Sequence, residues 1–175
     1  DRMPTLGVVA RRKDQETLLR AVARLGRPVN VLFVGIDRDD RLSELERELP
    51  RGARVAYTGF RERVVPLYRL LDVQVLTTRA EGLSQANLEA MALGVPVVSA
   101  AVGGTPEVIR HAENGLLFPP GDDRALCRLL AVLLDDPVLR ERLVEGGRAT
   151  VATRFHADAL VRGTEAVYRE LIEGV

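Results

Sequence analysis

Residues 73–99, VQVLTTRAEGLSQANLEAMALGVPVVS, contain the clearest structural pattern in the chain. It begins with an apolar run at 73–77, passes through a loop that contains a glycine, and enters a pattern at 84–93 that predicts a helix. A second apolar run follows at 95–99. Two parallel strands need a crossover connection between them, and a helix usually provides it. Residues 73–99 therefore predict one β-α-β unit.

The same alternation of apolar runs and amphipathic stretches extends in both directions. The predicted strands are 6–10, 29–34, 54–57, 73–77, 95–99 and 116–118. The predicted helices are 15–25, 40–49, 64–71, 84–93, 105–109, 123–134, 137–151 and 156–172. Thr105 is the predicted N-cap of its helix, with Pro106 at the first helical position. This order predicts an α/β fold, a Rossmann-like doubly wound parallel sheet of about six strands with helices on both faces.

Length and composition limit the class of protein. The 175 residues fit one domain, 1–175, and we expect a helical segment at about 137–175 to close it. The formal net charge is zero, which gives no indication of a nucleic-acid or membrane surface. One cysteine and two histidines exclude an internal disulfide and a standard zinc site. The chain does not begin with Met and a strand starts almost at once, so we expect a fragment of a longer protein.

Candidate binding residues follow the predicted strands. In a doubly wound sheet, ligands bind in the crevice at the carboxyl ends of the strands. The residues that follow the first five strands are Arg11, Arg12 and Lys13, then Gly35, then Gly59, then Glu81, and then Gly103 and Gly104. Several loops that meet at one edge of the sheet indicate a binding site more strongly than any single loop does.

Glu81 and Glu89 frame the start of the helix predicted at 84–93. Two solvated acids would have the same spacing, so the argument depends on their context. The first turn of a helix presents unpaired N–H groups and a positive dipole end, which suits a phosphate, and carboxylates accept hydrogen bonds from hydroxyl groups. Ser84 is either an ordinary N-cap or, with the amides of Leu83 and Gln85, a phosphate ligand. A nucleotide sugar, with hydroxyls at both ends and an anionic middle, has the matching layout.

Lys13 is unusual, since it is the one lysine among 25 basic residues. A compact ammonium at this position suits a point charge better than the planar fork of arginine. Arg11, Arg12 and Lys13 form either a solvated basic turn or a clamp for a diphosphate leaving group. The glycines leave similar alternatives open. Gly103 and Gly104 make either a tight strand-to-helix turn or a close backbone approach to a ligand.

Gly35 and Gly59 close the second and third predicted strands. Each either simply ends its strand or leaves room for a flat nucleobase to hydrogen-bond to the main chain. Other patterns are missing from the sequence: no Gly-x-Gly-x-x-Gly follows the first strand, and there is no Walker loop and no Gly-x-Ser-x-Gly elbow. The fingerprint of a dinucleotide-binding Rossmann domain is therefore absent.

Four motifs occur in order along the second half of the chain. They are EGLSQANLEAMA at 81–92, GVPVV at 94–98, GGTPE at 103–107 and NGLLFPPGD at 114–122. Together they resemble the carboxyl-terminal half of retaining GT-B glycosyltransferases of the group 1 (family 4) type, and the resemblance covers nearly the whole chain. The chain departs from the family pattern in two places. Val8 follows Gly7 where many members have arginine, and Leu83 stands where phenylalanine is frequent.

The resemblance implies a two-domain enzyme with its active site in the cleft between the domains. This half would bind a nucleotide-sugar donor such as a UDP- or GDP-sugar. An N-terminal domain, absent from this chain, would bind an acceptor that is a glycan, a lipid or a small molecule. It further implies transfer with retention at the anomeric carbon, no metal ion, no activity for the isolated half, and a cytoplasmic enzyme that reaches the membrane face through its other domain. The last helix would expose an apolar surface that this domain covers, formed by Leu160, Val167 and Leu171 with Val161 and Thr164 alongside.

The resemblance also implies roles for individual residues. Glu89 would accept hydrogen bonds from the ribose hydroxyls and Glu81 would hold the transferred sugar. Lys13, with Arg11 or Arg12, would bind the diphosphate. Main-chain groups around Gly59 would read the base. Lys13 and Glu81 are the expected catalytic residues, and the full expected nucleotide-sugar-binding set is Arg11, Arg12, Lys13, Gly35, Gly59, Glu81, Gly82, Leu83, Ser84 and Glu89.

Three other interpretations compete with this one. A non-catalytic nucleotide-sugar-binding module could lose Lys13 or Glu81, yet the chain has both. A GT-B enzyme of another type, such as a nucleotide-sugar epimerase, is disfavoured because Glu81 and Glu89 lie on either side of the start of the helix predicted at 84–93. A flavodoxin-like or response-regulator domain needs an acidic cluster after its first strand, where this chain is basic.

Overall fold

The computed structural model describes residues 2–10 and 13–173. Its strands are β1 (Thr5–Val9), β2 (Asn30–Val34), β3 (Arg54–Tyr57), β4 (Val73–Leu76), β5 (Val97–Ala100) and β6 (Leu116–Phe118). Its helices are α1 (Gln15–Leu25), α2 (Asp40–Glu46), α3 (Val65–Tyr68), α4 (Gln85–Leu93), α5 (Thr105–Val108), α6 (Asp123–Asp135), α7 (Pro137–Arg154) and α8 (Ala157–Glu173). None of the described helices has both the length and the apolar character that a membrane span requires.

All six strands pair in parallel in the order β3-β2-β1-β4-β5-β6. The chain starts near the middle of the sheet, proceeds outward to β3, and returns to pair β4 with the free side of β1. Leu6 aligns with Val73, and Gly7 aligns with Gln74. This confirms the predicted doubly wound sheet. The order reverses between β1 and β4, so the loops after these two strands are neighbours at the carboxyl edge, where such folds bind ligands.

The sheet separates two hydrophobic clusters. Successive strand residues point to opposite faces, so Val8 contributes to one cluster and Val9 to the other. The first cluster packs side chains of α1, α2 and α6 against one face, among them Leu18, Leu42 and Leu126. The second packs side chains of α3, α4 and α5 against the other face, among them Tyr68, Met91 and Val108. Helices therefore cover both faces, as predicted.

Cap chemistry explains where element ends differ from the predictions. The predicted strand 95–99 starts at Val97, because the Val95 N–H donates to the carbonyl of Ala90 and so ends α4. The predicted N-cap Thr105 is wrong. Gly104 occupies the N-cap position of α5, while Thr105 is its first helical residue and is 1% exposed. Its N–H donates to the carbonyl of Val102.

Helix lengths differ for related reasons. The predicted helix 40–49 ends at Glu46, because the N–H groups of the next three residues donate to carbonyls three residues back rather than four. The predicted helix 137–151 continues to Arg154. In α8, every residue from 161 to 173 is exposed. The expected apolar surface of this helix is present at Val161, Val167 and Leu171, and Tyr168 and Ile172 extend it. The side chain of Leu160 lies outside what the structure describes.

Candidate functional site

Lys13 and Glu81 meet at the carboxyl edge of the sheet, where the strand order reverses. The Lys13 Nζ lies 3.1 Å from Oε2 of Glu81, and the two side chains are 30% and 16% exposed. The backbone of Lys13 is held on both sides: its N–H donates to Oε1 of Gln15 over 2.9 Å, and its carbonyl accepts from the Thr77 hydroxyl over 3.0 Å. The structure thus brings together the two residues predicted to be catalytic, in a partly desolvated position.

A second ion pair joins the same two loops with the charges reversed. Arg79 Nε lies 2.8 Å from Oδ2 of Asp14, whose side chain is 14% exposed. Asp14 has a left-handed backbone (φ 57°), and its carboxylate also accepts from the Thr17 hydroxyl over 3.0 Å. The sequence analysis missed this pair. The sequence did contain a signal for it. Lys13 and Asp14 are adjacent and oppositely charged, and the loop that carries Glu81 also contains the cation Arg79.

Gly103 and Gly104 pack against the main chain of the loop that carries Glu81. The N–H of Gly104 donates to the carbonyl of Gly82 over 3.0 Å. A Cβ atom at Gly103 would overlap the carbonyl oxygen of Glu81, and one at Gly104 would overlap that of Gly82. Gly103 also has a positive φ of 51°. Both glycines are therefore required by a close approach between two loops of the protein itself.

The start of α4 has the cap chemistry of an ordinary helix. The Ser84 hydroxyl oxygen accepts from the N–H of Asn87 over 3.3 Å, and Ser84 is 5% exposed. This supports the first of the two interpretations of Ser84. Helix geometry leaves the N–H groups of Gln85 and Ala86 without intrahelical partners. Leu83, which precedes the cap, is 43% exposed.

Gly82 differs from the other glycines at this edge. It is exposed, and a Cβ atom built there would meet nothing within 4 Å. Its φ lies outside the left-handed range, so the backbone accepts other residues. Packing within the described structure therefore does not explain a glycine here, in contrast to Gly103 and Gly104.

Glu89 lies in the second turn of α4 and accepts a hydrogen bond from a buried tyrosine. The Tyr68 hydroxyl donates to Oε2 of Glu89 over 2.9 Å. Burial, and then the neighbouring carboxylate, raise the pKa of Tyr68 well above its ordinary value. Glu89 is five residues beyond the N-cap, a rise of about 7.5 Å along the helix. The sequence analysis also missed Tyr68, although a buried tyrosine hydroxyl usually needs a partner.

Gly35 and Gly59 connect the ends of β2 and β3. The Gly35 N–H donates to the carbonyl of Gly59 over 2.9 Å, and the Gly59 N–H donates to the carbonyl of Ile36 over 3.1 Å. Both have positive φ angles, 97° and 61°. The main-chain groups of Gly59 are therefore engaged within the protein. Base recognition around Gly59, which stays a prediction, would depend on neighbouring residues.

Two predicted residues, Arg11 and Arg12, lie outside the described residues. The prediction that one of them joins Lys13 on a diphosphate stays a prediction. In the part of the chain that the structure describes, no three His, Cys, Asp or Glu side chains group as a metal site would require.

Comparison with known proteins identifies the family. The family model described as "Glycosyl transferases group 1" matches residues 2–150. The lipopolysaccharide core biosynthesis glycosyltransferase LpsE of Rhizobium meliloti is 34% identical over 157 residues, which are 89% of this chain and 46% of LpsE. The chain thus spans about half the length of this relative.

Two solved structures extend the comparison. HepE from Anabaena, in complex with UDP-glucose, superimposes with a TM-score of 0.84 at 26% identity over 96% of this chain and 49% of HepE. The C-terminal domain of LpcC from Francisella tularensis, a group 1 family protein, superimposes with a TM-score of 0.76 at 26% identity over 89% of each chain. The chain therefore belongs to the group 1 glycosyltransferases, as a carboxyl-terminal domain with the Rossmann-like sheet of the GT-B fold.

Proposed function

We propose that the chain is the donor-binding domain of a retaining GT-B glycosyltransferase that moves a sugar from a nucleoside diphosphate sugar to an acceptor. The observation that carries the proposal is the Lys13–Glu81 pair at the reversal point of the sheet, 3.1 Å apart and beside the start of α4. A binding crevice is expected at this point of a doubly wound fold. The complex of the similar HepE with UDP-glucose supports a nucleotide-sugar donor.

Each part of the donor has a chemically suitable partner. Glu89 accepts hydrogen bonds from the ribose hydroxyls. Lys13 and the free N–H groups at the start of α4 bind the diphosphate, whose charge also interacts favourably with the helix dipole. Glu81 accepts hydrogen bonds from hydroxyls of the transferred sugar. Main-chain groups near Gly59 read the base. The exposed Gly82 leaves space at the point where the loop passes the ligand.

Lys13 and Glu81 exchange partners when the donor binds. Without ligand they neutralise each other in a partly buried position. The diphosphate then replaces Glu81 as the partner of Lys13, and sugar hydroxyls replace Lys13 as the partners of Glu81. Lys13 keeps an anionic partner and the Glu81 carboxylate keeps hydrogen-bond donors, so neither group is left without a polar partner in this partly buried position.

Both residues also act on the transition state. Breaking the bond between sugar and phosphate builds positive charge on the sugar ring and negative charge on the diphosphate. Lys13 and the α4 terminus stabilise the diphosphate as its charge grows, and Glu81 fixes the sugar. Loss of one such group costs about 2–4 kcal/mol of transition-state binding. The reaction needs no metal ion in this scheme.

The rest of the proposal concerns the longer protein. A second, N-terminal domain binds the acceptor, covers the apolar side chains of α8 and completes the active site, so the 175-residue chain binds donor without turning it over. The enzyme is cytoplasmic, and its second domain brings it to the membrane face. The half-length match to LpsE supports a second domain.

Calorimetric titration tests the donor site directly. We expect the wild-type chain to bind one of UDP, GDP and ADP in preference to the others, and Lys13→Ala to weaken that binding roughly tenfold or more, because a charged hydrogen bond is lost. Glu81→Ala should preserve binding of the nucleotide but remove the additional affinity that the attached sugar provides. In the complete enzyme, both variants should lose most of their turnover.

The matched control is Arg27→Ala. Arg27 pairs with Asp135 over 2.6 Å and precedes β2, so this variant removes an exposed ion pair at the opposite edge of the sheet. It should bind like wild type. Equal nucleotide affinity in wild type and Lys13→Ala would reject the assigned role of Lys13, and no binding of any nucleotide by the wild-type chain would reject the donor site.

A further inference from the structure

We propose that Tyr68 is a positioning residue that orients the Glu89 carboxylate for the ribose of the donor. The inference rests on the proposed function, because it deepens the role of Glu89. Tyr68 is fully buried, so its role at the site is an indirect one, through its hydrogen bond to Glu89. Tyr68 is the last residue of α3, directly before the turn that leads into β4.

The Tyr68 hydroxyl holds one oxygen of the Glu89 carboxylate by a hydrogen bond. Tyr68 is fully buried, and its hydroxyl oxygen lies 2.9 Å from Oε2 of Glu89 and 3.2 Å from the carbonyl oxygen of Ala86. Among the described residues, Tyr68 supplies the one hydrogen bond to the Glu89 side chain. Oε1 of Glu89 thus has no donor among the residues that the structure describes, and its side chain is partly exposed.

A tyrosine hydroxyl has a single hydrogen, and two acceptors compete for it. The carboxylate is the shorter contact and the charged one, and hydrogen bonds to charged acceptors are the stronger kind. Burial raises the pKa of the phenol, with the carboxylate as a further cause, so the hydroxyl keeps its proton across the physiological range and remains a donor. Glu89 in turn is the acceptor that ribose hydroxyls need.

Holding the carboxylate in advance favours binding. A glutamate side chain has several rotatable bonds, and fixing them when the ligand arrives costs conformational entropy. The buried ring of Tyr68 has no such freedom, since the second hydrophobic cluster surrounds it. The hydrogen bond therefore places Glu89 before the nucleotide binds. A purely structural tyrosine would stabilise the fold without distinguishing between ligands.

The test compares a ribonucleotide with its analogue that lacks the ribose hydroxyls. The probes are the nucleoside diphosphate that the wild-type chain binds best, whether UDP, GDP or ADP, and the matching 2′,3′-dideoxynucleoside diphosphate. We expect Tyr68→Phe, which keeps the ring and removes only the hydroxyl, to weaken ribonucleotide binding about tenfold. Binding of the dideoxy analogue should stay as in wild type. In a Glu89→Ala background, the further change Tyr68→Phe should have no effect on either ligand.

A second tyrosine provides a matched control. The Tyr57 hydroxyl donates to Oε1 of Glu46 over 2.7 Å, and this pair joins β3 to α2. Tyr57→Phe therefore removes a similar hydrogen bond without touching Glu89. Any effect that it has should be equal for the two nucleotides. Melting curves of all variants check that each one is folded before titration.

The outcomes separate the two proposals. Three results would show that Tyr68 does not position Glu89 while leaving the donor site in place. They are an equal loss of affinity for both nucleotides in Tyr68→Phe, no change in either affinity, or an effect of Tyr68→Phe that persists in the Glu89→Ala background. If the wild-type chain binds no nucleoside diphosphate, the proposed function falls and this inference with it. The positioning role is supported if Tyr68→Phe lowers the affinity for the ribonucleotide alone, and if this effect is absent in the Glu89→Ala background.

Discussion

Gly82 and Gly104 are joined by a hydrogen bond, yet they are glycines for different reasons. A Cβ atom at Gly104 would overlap the carbonyl oxygen of Gly82, so the contact between the two loops requires Gly104. A Cβ atom at Gly82 would enter open space. Packing among the described residues does not require Gly82, and in our account the bound donor does. Substitution by alanine separates these two causes.

We predict that Gly82→Ala changes the free energy of unfolding by at most about 0.5 kcal/mol, as expected for an exposed position. It should nevertheless weaken donor binding, because the added methyl group takes up space beside the ligand. Gly104→Ala should cost roughly 1–3 kcal/mol of stability through overpacking. Chemical denaturation and nucleotide titration of both variants provide the check. Normal donor affinity for folded Gly82→Ala would remove Gly82 from the site.

At the scale of elements, the site depends on two loops joined by two ion pairs. Lys13 and Asp14 lie in the β1–α1 loop, and they face Glu81 and Arg79 in the β4–α4 loop. The two pairs have opposite orientations, so exchanging partners between them would place like charges together. We infer that the Asp14–Arg79 pair helps to fix the register of the loops and hence the contact of Lys13 with Glu81.

Arg79→Ala tests the second pair. Because the Arg79 side chain is 65% exposed, its ion pair should contribute only about 0–1 kcal/mol to stability. Donor affinity should fall severalfold, because the backbone at Lys13 loses part of its support. The measurements are a denaturation curve and a titration at low and high salt, since screening should weaken the effect of an exposed pair. Wild-type affinity at both salt concentrations would contradict the inference.

The sequence predicted elements better than contacts. Helix 15–25 and strands 54–57 and 116–118 have their predicted bounds, because apolar periodicity and flanking turn residues are local signals. Thr105 shows the limit of such signals. Its type suits an N-cap, but the packing of Gly104 on Gly82 places the cap one residue earlier.

In the candidate site too, the sequence predicted the positions of residues better than the contacts between them. Topology alone places Lys13 and Glu81 at one edge, because the loops after neighbouring parallel strands are adjacent. Their direct contact depends on side-chain conformations that no local pattern specifies. The bond between Tyr68 and Glu89 depends on how α3 packs beneath α4, and sequence periodicity does not give that packing. The Lys13–Glu81 contact and the part played by Tyr68 were therefore identified only from the structure.

At the scale of the whole molecule, α8 extends from the body of the domain with several large apolar side chains exposed. They are Val161, Val167, Tyr168, Leu171 and Ile172. A cleft of about 570 Å³ lies beside this helix and reaches Leu83 and Leu88 near the start of α4. In our proposal the second domain covers this region. The cleft adjoins the donor site, so an acceptor-binding domain placed there would lie close to the transferred sugar.

The central claim is that one nucleotide sugar contacts Lys13, Glu81 and Glu89 at the same time. A crystal structure of the chain with the nucleotide sugar chosen by titration measures this most directly. We predict hydrogen bonds from the Lys13 ammonium to the diphosphate, from sugar hydroxyls to Glu81, and from ribose hydroxyls to Glu89. A ligand bound elsewhere, or one that leaves the Lys13–Glu81 pair intact and does not reach Glu89, would contradict the account.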